Sequence, residues 1–157
     1  MKIFLCLFML FSFSAFAEEP RFSGKPLPRF VALKSDKVNT RVGPNVKYPI
    51  KYLYVRKFMP VIVVNEYYGW YQIKDIEGDL SWAHRDNFTV KDYAMVKSNN
   101  INLYKKARTS SEILARVDKG VIFLVDKCEK DFCKVKTNYN NKKFEGYILQ
   151  SELYGIN

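Results

Sequence analysis

The sequence predicts an all-β protein: two tandem small β units behind an N-terminal secretory signal peptide. Residues 31–89 and 94–155 are two diverged copies of one pattern, and a repeat defines the folding unit before any single side chain is weighed. Val38-Asn39 answers to Ile101-Asn102, Val61–Val64 to Phe123–Asp126, Trp70–Ile73 to Phe132–Val135 and Trp82 to Tyr147, at shifts of 63, 62, 62 and 65 residues. The order of elements never changes. Short runs rich in β-branched and aromatic residues alternate with turns holding Gly, Asn or Asp, and no convincing helical period outlasts two turns. Strands of about four to seven residues at such spacing point to a small barrel or sandwich.

The elements follow in chain order. Lys2 precedes an almost unbroken apolar run from Ile3 to Phe13, and Ala15 and Ala17 supply the small residues of a signal-peptidase site. The run is shorter than the roughly 20 residues that span a bilayer, so cleavage after Ala17 is expected, with a periplasmic or secreted mature chain. Cys6 lies too early in the run for lipidation. Residues 18–30 hold Pro20, Pro26, Pro28 and Gly24 and read as an extended leader. In the first copy, Ile50, Tyr52 and Tyr54 alternate with Lys51, Leu53 and Val55, and Val61–Val64 is β-branched throughout. Only Thr89 to Tyr93 separate the copies, too short a link for free tumbling. In the second copy, Cys128 and Cys133 fall where Glu66 and Tyr71 face each other across a first-copy hairpin. Cross-strand partners come close enough for a disulfide, which is expected outside the cytoplasm.

Charge narrows the partners. The chain has 26 Lys and Arg against 16 Asp and Glu, a formal net charge of +10, and both copies share the excess. From Arg21 to Lys57 ten basic residues meet only Asp36. Such a field favours anionic surfaces such as wall polymers, lipid headgroups or acidic proteins. A Lys-rich composition on solvated faces explains the same excess, and both readings stay open. A secreted chain without a recognition motif is a poor nucleic-acid binder.

Catalytic and metal chemistry find little support. A thiol hydrolase needs a cysteine activated by a histidine. His84 is the one histidine of the chain and aligns with apolar Leu149, a packing or surface position. Cys128, Cys133 and His84 cannot supply four zinc ligands. Asp75, Glu77 and Asp79 are expected to form a solvated hairpin tip. No cofactor is called for.

Residues 34–44 read K-S-D-K-V-N-T-R-V-G-P, followed by Tyr48-Pro49, then Gly69-Trp70-Tyr71, then Ser81-Trp82-Ala83. This order resembles the bacterial SH3 (SH3b) domain, with its N-x-R-x-G-P, G-W and final G-W-V, in two copies over nearly the whole mature chain. The resemblance implies two tandem SH3-like, partly open β-barrels of five to seven strands that bind rather than catalyse. It implies an exported cell-envelope protein binding peptidoglycan or another anionic wall component; the alternative is an interaction module for a periplasmic protein or a second copy of itself. Ser81 and Phe58 depart from preferred glycines. The second copy has Tyr104-Lys105-Lys106-Ala107 where Arg41-Val42-Gly43-Pro44 stand, so its first loop is expected to turn differently and that copy to be the structural one. Gly43 allows a positive φ, and Pro44 fixes the next φ. The candidate ligand-binding residues are Arg41, Lys47, Tyr48, Tyr52, Tyr68, Trp70 and Trp82, with Tyr67 beside them. Aromatic rings near cations suit flat, amphipathic ligands, although the same rings also serve to fill a small barrel.

Overall fold

A computed structural model describes residues 23–156. The expected signal peptide, Cys6 and the start of the expected leader lie outside these residues. In the first module, β1 (Arg29–Leu33), β2 (Val38–Arg41), β3 (Ile50–Tyr54), β4 (Pro60–Tyr67), β5 (Trp70–Lys74), β6 (Leu80–His84) and β7 (Phe88–Thr89) form one antiparallel sheet ordered β3-β2-β6-β5-β4-β1-β7. The second module repeats it with β8 (Tyr93–Val96), β9 (Ile101–Tyr104), β10 (Ile113–Val117), β11 (Ile122–Glu129), β12 (Phe132–Tyr139), β13 (Lys142–Leu149) and β14 (Leu153–Tyr154), ordered β10-β9-β13-β12-β11-β8-β14. These are two tandem SH3-like β domains. A 3-10 turn precedes each last strand, at Arg85–Asn87 and Gln150–Glu152.

Register confirms the repeat residue by residue. Arg41 pairs with Trp82 as Tyr104 pairs with Tyr147, and Trp70 with His84 as Phe132 with Leu149. Several strands run to eight residues, longer than the sequence suggests. β1 begins at Arg29 and β8 at Tyr93, so three residues, 90–92, separate the sheets.

Alternation along each strand buries one face. The first core is built on Leu33, Val38 and Ala83 with Val61, Val63 and Ile73, bridged by Tyr54 and Met59. The second joins Val96, Leu103, Phe123, Cys133, Val135 and Ile148 in one cluster. Cys128 and Cys133 are disulfide-bonded across the β11–β12 hairpin, with Cα atoms 4.0 Å apart.

The modules also meet. Phe58 stacks on Tyr93 with ring centroids 4.2 Å apart, Phe30 meets Tyr154 edge-on, and Arg56 donates to the Gly120 carbonyl. Phe58 holds φ 63°, the conformation that Gly120 takes at the matching turn of the second module. A bulky side chain is costly in that region, and here its ring covers Tyr93 instead. Any side chain on Gly155 would collide with the Tyr93 carbonyl and Pro60. Burial, then the Asp75 and Glu77 carboxylates, push the Tyr154 phenol up to about 12.

Candidate functional site

The loop between β2 and β3 carries Arg41, Lys47 and Tyr48. Its shape comes from its own backbone: Val42 N–H donates to the Pro49 carbonyl, Asn45 N–H to Gly43 and Tyr48 N–H to Asn45. In the second module Lys105 donates to Glu112, Arg108 to Lys106 and Ser111 to Arg108. These are the same three bonds in the same order. The second loop therefore does not turn differently, because loop length and strand register set the turn and Gly43-Pro44 does not.

Gly43 has another use than the expected one. Its φ is not positive; a Cβ there would lie 2.7–2.8 Å from ring atoms of Tyr48, so the missing side chain makes a seat for the ring. In the second module Lys106 and Ser111 replace the Gly–Tyr pair, and the Ser111 hydroxyl accepts from Lys106 N–H at 3.0 Å. Arg41 donates from its guanidinium to the Tyr48 carbonyl at 2.7 Å. It is a positioning residue for the loop.

Tyr48, 46% exposed, faces Tyr67, also 46% exposed, across an open groove of about 480 Å³ that Pro44, Asn45 and Lys47 complete. Tyr67 meets Tyr68 edge-on at 4.7 Å, and Tyr68 is 68% exposed at the β4–β5 turn. Lys47, Tyr48 and the Tyr67–Tyr68 pair thus share one region. The remaining candidates are placed by the sheet. Trp70 is half-buried with its ring edge-on to His84, Trp82 is half-buried opposite Arg41 and Gln72, and Tyr52 lies beneath Lys51, whose ammonium is 5.1 Å from the ring centre. None of these three lines the groove. Tyr67, one of the aromatic candidates of the first copy, is its second wall.

His84 accepts a long bond from Asp86 N–H at the start of the 3-10 turn and lies 3.2 Å from the Asp86 carboxylate, an end-of-strand role. The acids of the β5–β6 turn are not all solvated. Asp75 is buried, accepting from the Tyr54 hydroxyl at 2.8 Å and from Asp79 N–H at 2.9 Å. Burial and then the Asp75 carboxylate drive the Tyr54 phenol well above its ordinary value. Glu77 and Asp79 remain exposed. Sequence alone missed the buried role because Tyr54 ends β3 and Asp75 opens the β5–β6 turn, 21 residues apart. Among the described residues no group of three or more His, Cys, Asp or Glu could hold a metal ion, and no helix is long and apolar enough to cross a membrane.

On the β4–β5 hairpin, Glu66 accepts from the Ser23 amide and hydroxyl at 3.0 and 2.7 Å and pairs with Arg29, whose guanidinium also covers the Tyr71 ring. Burial alone raises the Glu66 pKa, but the Ser23 hydroxyl, Arg29 and the Ser23 amide outweigh it and hold the carboxyl below its ordinary 4.5. The leader is thereby tied to the first module.

A family model described as a bacterial SH3 domain matches residues 34–88 and again residues 97–155. Among solved structures, the chain is similar to NlpC2 from Trichomonas vaginalis, at 16% identity and TM-score 0.36, over 81% of this chain and 48% of that one. NlpC1 from the same organism matches at 17% identity and TM-score 0.36, over 83% of this chain and 47% of that one. The chain thus spans about half the length of either structure. No curated protein matches the sequence.

Proposed function

The chain belongs to the bacterial SH3 domain family in two tandem copies, and on that premise we propose that it is an exported, non-enzymatic binding protein of the cell envelope whose ligand is peptidoglycan or another anionic wall component. The observation that carries this reading is the groove between Tyr48 and Tyr67. Two exposed rings and a lysine on a hydrogen-bonded loop offer flat apolar contact beside positive charge. Because Arg41 already holds the loop, ordering it on binding costs little.

The purified protein should co-sediment with isolated sacculi at low salt and less so at high salt, since exposed charges are screened over roughly 8–10 Å at 0.1–0.15 M. The Arg41→Ala plus Tyr48→Ala variant should bind more weakly by about 1–3 kcal/mol, in the range of interface anchors. Tyr104→Ala plus Ser111→Ala, the pair at the matching positions of the second module, should change binding much less. Absence of sedimentation at low salt removes the wall reading.

A second reading, a docking module for an envelope protein, draws on edge strand β3 and the residue after it, where Ile50, Leu53 and Val55 are half or more exposed. Recovery of one stoichiometric protein from envelope extract, unchanged after the wall is digested, would favour it.

A further inference from the structure

The two barrels are filled differently at one end. In the first, Tyr54 bridges both halves of the core and bonds Asp75, with Met59 beside it. The shared register places Val117 and Thr137 at the positions of Tyr54 and Asp75, and the matching turn bonds, Leu33 N–H to the Met59 carbonyl and Val96 N–H to the Val121 carbonyl, place Val121 at that of Met59. Three large or anchored side chains become three smaller ones, and a cleft of about 510 Å³ opens there. That lies within the range of small-ligand sites.

The cleft is graded in depth. Leu103 and Phe123, each 1% exposed, form its floor; Val117, Val121 and Phe144 are the half-buried walls. Its rim bears two exposed arginines, Arg116 and Arg56, the latter reaching across from the first module with one guanidinium nitrogen on the Gly120 carbonyl. One acid, Asp118, shares the rim and accepts from Asn100 N–H. Apolar depth below a net positive rim calls for a ligand with an apolar tail and an anionic head.

We propose that the second barrel is a binding site for a medium-chain acyl carboxylate, its chain against Leu103, Phe123 and Phe144 and its carboxylate between Arg116 and Arg56. A guanidinium presents paired donors that match a carboxylate, and two of them set the polarity of entry. The site takes a residue from each module, so the angle between the modules is part of it. The inference stands apart from wall binding by the first-module groove.

Octanoate is the probe, titrated into the purified protein and followed by methyl chemical shifts of Val117, Val121 and Leu103. Saturable shifts at these methyls are expected, with octyltrimethylammonium at least about tenfold weaker because its head is repelled where the carboxylate is held. Arg116→Gln should weaken octanoate by about tenfold while leaving octanol unchanged. Val117→Tyr, which restores the first-barrel residue, should abolish binding of both. Val121→Met is the milder filling variant if Val117→Tyr does not fold, and should weaken both. Shifts that do not saturate, equal binding of the two head groups, or octanoate binding unchanged in a folded filling variant would overturn the proposal. So would saturable binding of an acetylated tripeptide ending in leucine without binding of octanoate, since the cleft would then read peptide ends.

Discussion

At the tip of the long central hairpin, the second module joins Cys128 to Cys133, whereas the first places Glu66 opposite Tyr71 and ties that pair to the leader through Ser23 and Arg29. The register is the same; the chemistry is not. A covalent link acts within its own hairpin and chiefly restricts the unfolded chain. A buried carboxylate is stabilising only while Arg29 and the serine remain in place, so the first module recruits Ser23 from outside its sheet. One barrel is thus sensitive to reduction and the other to pH and to its leader.

The largest way to break this contrast is Glu66→Ala. It leaves the Arg29 guanidinium, 12% exposed, without its counter-charge, and removal of one partner of a buried pair costs about 3–5 kcal/mol. Trp70 and Trp82 are the only tryptophans and both lie in the first module, so tryptophan fluorescence during urea unfolding follows that module alone. Its transition should move strongly while amide exchange in β11–β13 stays as it was. Equal loss in both modules would mean that they unfold as one unit.

Replacing both Cys128 and Cys133 by Ser should do the converse. The closed loop is short, so about 2 kcal/mol of stability should disappear from the second module in the chain-entropy model. Cys133 is fully buried in that core, which adds a smaller packing loss. Amide exchange in β11–β13 should accelerate while the tryptophan transition holds still. Protein isolated without reductant should show no titratable thiol.

A smaller effect separates the modules from each other. Phe58→Gly relieves a left-handed backbone that disfavours a side chain by roughly 1–2 kcal/mol, and removes a ring stack of about 0.5–1.5 kcal/mol. The first module should keep its stability nearly unchanged. Residual dipolar couplings should show the module orientation loosening, since the Phe58–Tyr93 stack spans the junction. A rigid junction in the variant would shift that role to Phe30–Tyr154 and Arg56–Gly120.

The sequence made the repeat legible because strand pairing ties residues to one another at a period of two. Trp70, Trp82 and Tyr147 therefore mark register, and the Cys128–Cys133 pairing follows from Glu66 and Tyr71. Lys47 and Tyr48 were visible as a cationic-aromatic loop. What stayed hidden depends on partners distant in the chain. Asp75 looks like a turn acid until Tyr54 arrives 21 residues away, and Glu66 looks like a surface residue until Ser23 folds back across 43. Gly43 looked like a turn residue because a missing side chain gives no hint of the ring that uses the space. The cleft in the second barrel was invisible for a related reason: Val117 and Val121 are ordinary strand residues, and only comparison with Tyr54 and Met59 shows the volume they leave.

The subtlest separation of the modules comes from acid. The folded state holds the Glu66 carboxyl below 4.5, so it binds this proton less readily than the unfolded chain does. Its contribution is therefore complete above that ordinary value and is lost as pH falls from there through the lower folded pKa. The disulfide at the same place in the second module carries no such dependence. Between pH 7 and pH 3 the tryptophan-reported urea midpoint of the first module should fall more than that of Glu66→Gln, which cannot titrate and begins lower. Glu145, held at about 2 by Lys143 and Lys134, titrates on an exposed face of the second module, where water screens the interaction. Exchange in β11–β13 should consequently change less over the same range. If Glu66→Gln follows the parent with an identical slope, the acid sensitivity belongs to other carboxylates and the polar clasp contributes no pH dependence of its own.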